Sequence, residues 1–553
     1  MRYRSTRGKS SGLTFEEAVF EGLAVDGGLY IPHSIPQIPV EEILGWSPLT
    51  FSEIAVKIFR NFIGDDEIPD ADLTDIVARS FATFSTPEVT PLKKLPTLGA
   101  DNLYILELFH GPTFAFKDIA LQFLGNLFEY FLERRNKQGK SGSRAAITVL
   151  GATSGDTGGA AIYGLRGKKN VDVFILHPKG RISPVQEQQM TSVLDENVHN
   201  IALEGTFDDC QDTVKAAFSD EPFRRRFQLA AVNSINWARI LAQTSYYFYS
   251  YLTLLKQVGA GSASAGSLPT IQYSVPTGNF GDVLAGYYAV RMGLPIAQLI
   301  VATNENDILH RFFQSGKYEK RHTANGHEEV KQTLSPAMDI LVSSNFERLI
   351  WYLAKGDGRS GQASANEEEE EKKAQKSSET VTRWVTDLKE KGGFEVPSDL
   401  LARARELFTS FCTSDELTSD AIHRYYHHQY AKGATTDPGT SPYVLDPHTA
   451  VGVVAAEHFA ASATYTACLS TASPGKFPEA ILAAINERPL PETSKQNGFK
   501  PVTYADIAPA GLVALQGLPT RCLDIPTEGG NKAVALKRVR QAIDNICGGK
   551  FPA

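Results

Sequence analysis

From residue 103 onward, short apolar runs alternate with helical patterns, and that rhythm restricts the fold more than any other feature of the chain. LYILEL leads into a helical stretch near 117–134, AAITVLGAT into a helix from 156, and VDVFILHP follows. VHNIALEG then precedes a helix near 208–218, and QLAAVNS precedes a helix over Trp237–Leu255. Runs this apolar and this short, separated by helices, read as parallel strands covered on both faces. The expected class is α/β with a doubly wound parallel sheet. The rhythm resumes at IQYSVPTGNFGD and PIAQLIVATNEN, which predicts two α/β lobes facing each other across a cleft.

A chain of 553 residues exceeds what one core organises. Residues 1–100 combine helical patterns at Phe15–Leu23 and Phe51–Phe62 with the Pro-rich connectors IPHSIPQIP and TPEVTPLKKLP, predicting an N-terminal helical domain. The α/β region is expected over 101–480 and a C-terminal extension over 481–553, ending in an amphipathic helix near 530–547. GAGSASAGSLPT at 259–270 reads as a surface loop and NERPLPETSKQNGFK as a polar connector. GDGRSGQASANEEEEEKKAQKSSE at 356–379 is too polar to bury apolar area and is expected to be a solvated, disordered insertion.

The 55 basic and 63 acidic residues give a formal charge of -8, which argues against nucleic acid as a partner and for a small-molecule ligand. Five widely spaced cysteines without C-x-x-C suggest neither a disulfide framework nor a zinc site. His423, His427, His428 and His448 lack metal-ligand spacing, so no metal is expected. The first residues are basic but have no apolar core, and no run is long and apolar enough to span a bilayer. The expectation is a cytoplasmic protein with no membrane partner.

Four segments carry chemistry. In LELFHGPTFAFKD, Lys117 follows Phe114, Ala115 and Phe116. An ammonium set among apolar neighbours loses solvation, its pKa falls, and it becomes an amine able to form a Schiff base with an aldehyde cofactor. Taken alone, such a lysine would snorkel to the surface; its company decides otherwise. ITVLGATSGDTGGAA is a strand, a small-residue turn and a helix, and SVPTGNFGDVLAGYYA repeats that architecture. Each turn exposes N–H groups at the positive end of a helix dipole and so seats an anion. Neither has the spacing of a nucleotide loop. Asp282 would repel a phosphate if its carboxylate faced it, so its backbone N–H is expected to face the anion. YVLDPHTAVG reads as a strand, a Pro turn and a helix that Thr449 either caps or uses for a ligand.

LELFHGPTFAFKD, TSGDTG, PTGNFGD and DPHTAVG, in this order and spacing, resemble the threonine synthases of the longer fungal and enterobacterial-type branch. The resemblance runs from GLAVDGGLYIP to ALQGLPTRCLDIP and so covers nearly the whole chain. It implies a fold-type II pyridoxal 5'-phosphate enzyme, like the tryptophan synthase β subunit, that converts O-phosphohomoserine and water into L-threonine and phosphate, the last step of threonine biosynthesis. It implies further that Lys117 carries the cofactor, that Gly278, Asn279, Phe280 and Asp282 cradle its phosphate, and that Thr449 meets its ring nitrogen. Ser154, Asp156 and Thr157 are implied at the substrate carboxylate or the cofactor hydroxyl. Arg239, Lys179 and Arg181 are candidates for the substrate phosphate, and monomer and dimer both stay open. One departure stands out: LSTASPGKF has Ser473 and Gly475 where the family reads His and Ala in TAHPAKF. It leaves room for a phospho-lyase giving 2-oxobutyrate, and a non-catalytic scaffold of the same fold is the alternative from another class.

Overall fold

The computed structural model describes residues 1–95, 102–139, 145–261, 267–322, 326, 328–359, 366–427, 442–460, 464–489, 500–529 and 531–551. Two sheets dominate. One has five parallel strands in the order Leu523–Ile525, Val198–Leu203, Val171–Pro178, Ile147–Ala152, Leu229–Ala230. The other has six, in the order Phe408–Cys412, Ile296–Thr303, Ile271–Pro276, Tyr465–Ser470, Leu103–Glu107, Leu92–Lys94, with only Leu92–Lys94 antiparallel, at the edge. Val171–Pro178 is buried at all eight positions, as a parallel strand under helices on both faces must be.

The N-terminal segment holds the helices Phe15–Glu21, Val40–Gly45, Phe51–Arg60 and Asp70–Phe81. Thr14 and Thr50 start two of them with reciprocal capping boxes through Glu17 and Glu53. A small antiparallel sheet, Ser11–Leu13, Tyr3–Ser5, Tyr30–Pro32, adds to the helices expected there. Phe15, Phe51 and Phe59 belong to one apolar cluster with Trp237 and Tyr247 of helix Trp237–Gln257 and with Val275 of the six-stranded sheet, so this segment shares a core with the α/β region.

The acidic insertion corrects an expectation. Glu367–Lys391 is a helix, capped by Asn366, whose four N-terminal glutamates oppose the positive end of its dipole. Ala374, Ser377, Ser378, Val381, Trp384 and Leu388 recur at helical spacing and are buried. Glu371 pairs with Arg4 at 2.7 Å, Glu370 with Lys355 at 2.6 Å, and Trp351 Nε1 donates to Ser378 Oγ at 3.0 Å. Composition failed because half of the buried stripe is Ala and Ser, small enough for close helix contact yet polar on average. Residues 360–365 of that insertion, 262–266 of the Gly/Ser loop, 490–499 of the polar connector and His428 lie outside the described residues.

Two further expectations change. Residues 442–446 form no strand, and the cap of helix Pro447–Phe459 is Asp446, which accepts from His448 N and Thr449 N, rather than Thr449. The C-terminal segment is built into the five-stranded sheet: Leu523–Ile525 is its edge strand, and Ala535, Val539 and Ile543 of helix Lys532–Cys547 pack with Phe174 and Leu176.

Candidate active site

Both predicted turns and Lys117 line one cleft of about 2610 Å³ between the two sheets' lobes. Helices Lys117–Lys137 and Asp156–Leu165 run side by side in the same direction, both starting at the cleft. They meet where a Cβ on Gly125 would lie 1.9 Å from the Gly164 carbonyl oxygen, and one on Gly164 would lie 2.5 Å from the Leu121 oxygen. Backbone contact at two glycines thus sets the separation of their first residues.

Lys117 is fixed from behind by backbone. Phe116 N donates to Thr471 O at 2.8 Å, Ser473 N donates to Phe114 O at 2.9 Å, and Ala115 bridges to Ala472. Its ammonium lies 5.5 Å from the Phe116 ring centroid and 3.6 Å from Asp156 Oδ2. Burial holds its pKa below the usual lysine range; the Asp156 charge opposes this, and Lys476 and Arg239 add to it. Burial alone would raise the Asp156 pKa, but Lys476 and Lys117 outweigh it and hold that carboxyl well below its usual range.

The turn before Asp156 requires its glycine. Gly155 has φ +146°, and a Cβ there would meet Gln186 Oε1 at 1.9 Å. Thr153 Oγ1 accepts from Gly155 N and Gly158 N, both at 2.9 Å. Ser154 is exposed on the cleft wall, and Thr157 stands beside it.

The second turn presents its donors to the cleft. Phe280 adopts a left-handed conformation, φ +63°, just before helix Gly281–Arg291. The Gly278 carbonyl is drawn away by Ser343 Oγ at 2.7 Å, and the Asn279 carbonyl by Asn345 N and Nδ2, both at 3.0 Å. Among the described residues, the N–H groups of Asn279, Phe280, Gly281 and Asp282 have no protein acceptor. The Asp282 side chain turns inward, where Tyr246 OH and Tyr247 OH donate to Oδ1, leaving Oδ2 buried without a partner.

Burial pushes the Asp282 carboxyl up to about 7, an effect its two tyrosine donors only partly offset. In the unfolded chain the group would titrate near about 3.9. Between those values the folded chain keeps a proton that the unfolded chain has lost. Stability from this group is therefore complete below the unfolded pKa and is lost as pH rises through about 7. Asp282→Asn should remove the dependence: in urea unfolding of the cofactor-free chain, the variant should gain on the wild type by up to about 4 kcal/mol from acid to neutral pH. A difference constant with pH would refute this.

Thr449 lies one layer behind the wall, fully buried. Its hydroxyl donates to Asp446 and meets Ser470 Oγ at 3.0 Å and Thr471 N at 3.2 Å. Its neighbours His448, Thr471 and Ala472 line the cleft itself. Of the three candidate cations, Lys179 is exposed and paired with Asp524 at 2.7 Å, and Arg181 is exposed on the cleft wall. Arg239 is 3% exposed, lines the cleft, donates to Val232 O at 3.1 Å and has no carboxylate partner among the described residues.

Ser473 does not line the cleft, and Gly475 is required by packing, since a Cβ there would lie 2.7 Å from Ala508 Cα. The residue that sequence reasoning missed comes directly after them: Lys476, wholly buried, 2.9 Å from Asp156 Oδ1. It stands in the quoted PGKF segment, but nothing near it in sequence announces a buried charge.

A buried amine of depressed pKa, an anion seat of unpaired N–H groups and a second helix start fit an aldehyde cofactor bearing a phosphate. Three family descriptions match in register: threonine synthase N terminus over residues 2–81, pyridoxal-phosphate dependent enzyme over 84–386, and threonine synthase, C-terminal, over 449–539. Threonine synthase from Saccharomyces cerevisiae is 52% identical over 491 residues, 88% of this chain and 89% of that protein. The crystal structure of yeast threonine synthase superposes with a TM-score of 0.85 at 46% identity, covering 99% of each chain. The structure of PLP-bound threonine synthase from Brucella melitensis gives 0.79 at 39%, covering 98% of this chain and 99% of that one. The chain belongs to the threonine synthase family of pyridoxal-phosphate-dependent enzymes.

Proposed function

We propose that the cleft converts O-phospho-L-homoserine and water into L-threonine and phosphate, with Lys117 as the residue that carries the cofactor and handles the protons. When bound, pyridoxal 5'-phosphate supplies the electron sink that makes the Cα and then the Cβ proton removable. The N–H groups of Asn279, Phe280, Gly281 and Asp282 hold the cofactor phosphate, and the turn packs closely at Gly278, where a Cβ would lie 3.1 Å from both the Ala337 carbonyl oxygen and Met338 Cα. The neutral Thr449 hydroxyl supports the ring side without adding a charge there. Ser154, Thr157 and the N–H groups at the start of helix Asp156–Leu165 receive the substrate carboxylate. Arg239 takes the substrate phosphate, because it is the buried guanidinium on the wall that no carboxylate already neutralises.

Lys117 Nζ is free once the substrate amine has taken its place. It is tethered only loosely, at 3.6 Å, so it can reach successive carbons as base and then acid. Burial lowers its pKa, which makes the neutral amine easier to reach than in an exposed lysine. That pairing of a loose, depressed amine with two helix starts is the observation that carries the reading. Incubation with O-phosphohomoserine, with products identified by mass spectrometry, should give threonine and stoichiometric phosphate. Accumulation of 2-oxobutyrate instead would make the protein a phospho-lyase.

A further inference from the structure

Lys476 is more completely enclosed than Lys117, with no exposed surface against 9%. It ends the short turn Pro474–Lys476, and its Nζ reaches Thr113 O at 2.9 Å, Gln189 Oε1 at 3.1 Å and Asp156 Oδ1 at 2.9 Å. An ammonium has three donors and a neutral amine two, so three acceptors fit the charged form. A buried ion is tolerated when it is paired and fully hydrogen-bonded, as here. Lys117 is in the opposite situation, 3.6 Å from Asp156 Oδ2 and so beyond hydrogen-bonding distance. One carboxylate faces two lysines, one saturated and one loose.

Whenever Lys117 lacks a proton, Asp156 loses one of two counter-charges. A buried carboxylate left alone would take up a proton or hold the one on Lys117. We propose that Lys476 is a positioning residue: the fixed counter-ion of Asp156 that lets Lys117 give up its proton without stranding a buried negative charge. This rests on Lys117 being the reactive amine. Other charged or titratable groups nearby are Arg239, which acts on Lys117, His448, which acts on Asp156, and Asp118, which interacts with Lys476. Gln186 Nε2 also donates to Asp156 Oδ1, at 3.0 Å, but brings no charge.

The test is the rate of amine labelling at Lys117 across a pH series, read by peptide mass spectrometry on the full-length, cofactor-free chain. Lys476→Met should move the Lys117 midpoint upward by about one pH unit or more, because a repelling cation is lost and the Asp156 charge is no longer shared. Lys476→Arg should return it towards the wild type. An unchanged midpoint in folded Lys476→Met overturns the proposal. If that variant does not fold, Asp156→Asn decides: with the carboxylate gone, Lys117 faces the Lys476 and Arg239 charges with nothing to offset them and its midpoint should fall, and a rise or no change overturns the proposal. Should wild-type Lys117 label like an exposed lysine, the reading of Lys117 as the reactive amine fails first and the proposal falls with it.

Discussion

Lys117→Ala should lower kcat by at least about 10⁴-fold while leaving the fold in place, since one side chain serves as cofactor attachment point, base and acid. The fold should survive because Asp156 keeps its closer partner, Lys476 at 2.9 Å, so no unpaired buried charge is created. Stability should change by no more than about 2 kcal/mol, the ordinary range for a single substitution of this kind. Threonine release by mass spectrometry and a thermal melt by circular dichroism check the two halves separately. Normal turnover in the variant would remove Lys117 from the mechanism.

The second large effect is expected away from the chemistry. Gly125→Ala places a methyl group 1.9 Å from the Gly164 carbonyl oxygen, and backbone cannot rotate aside as a side chain can. The gain in helix propensity is about 1 kcal/mol, while overpacking at such a contact costs about 1–3 kcal/mol or more, so overpacking wins. Helices Lys117–Lys137 and Asp156–Leu165 must then move apart. Lys117 and Asp156 are their first residues, and a shift of about 1 Å at a reacting group costs on the order of 10²-fold in rate. The variant should therefore combine a lower midpoint in urea with a reduced kcat. A variant as stable and as fast as the wild type would show that the glycine contact does not gauge the site.

Much of the site could be read in the sequence because its parts are local. Each anion seat is a strand, a turn and a helix start contained in about fifteen residues, and its donors exist whatever else the chain does. Lys117 was legible for the same reason, since Phe116 beside it supplies much of its apolar setting. Lys476 was not. Its three acceptors come from residues 113, 156 and 189, and only the folded chain brings them together. Strand Tyr465–Ser470 was missed similarly: YTACLS is short and mixed, yet it lies between Ile271–Pro276 and Leu103–Glu107 and is buried at five of six positions. Helix Glu367–Lys391 escaped a reading by composition because its buried stripe begins with the small residues Ala374, Ser377 and Ser378. What failed in each case was a property fixed by distant partners, which local propensity does not encode.

The way the last strands are inserted bears on how the protein is made. Leu523–Ile525 pairs with Ile201–Leu203, and Tyr465–Ser470 separates strands whose sequence positions begin at 103 and 271. A ribosome therefore delivers most of each sheet long before the strand that completes it. During synthesis Leu203 waits without its outer neighbour, and Ile105 without its inner one, for hundreds of residues. Neither sheet has all its strands until these late segments are made, so the long-range pairings slow folding and leave unpaired edges open in the interval to edge-to-edge association with other chains.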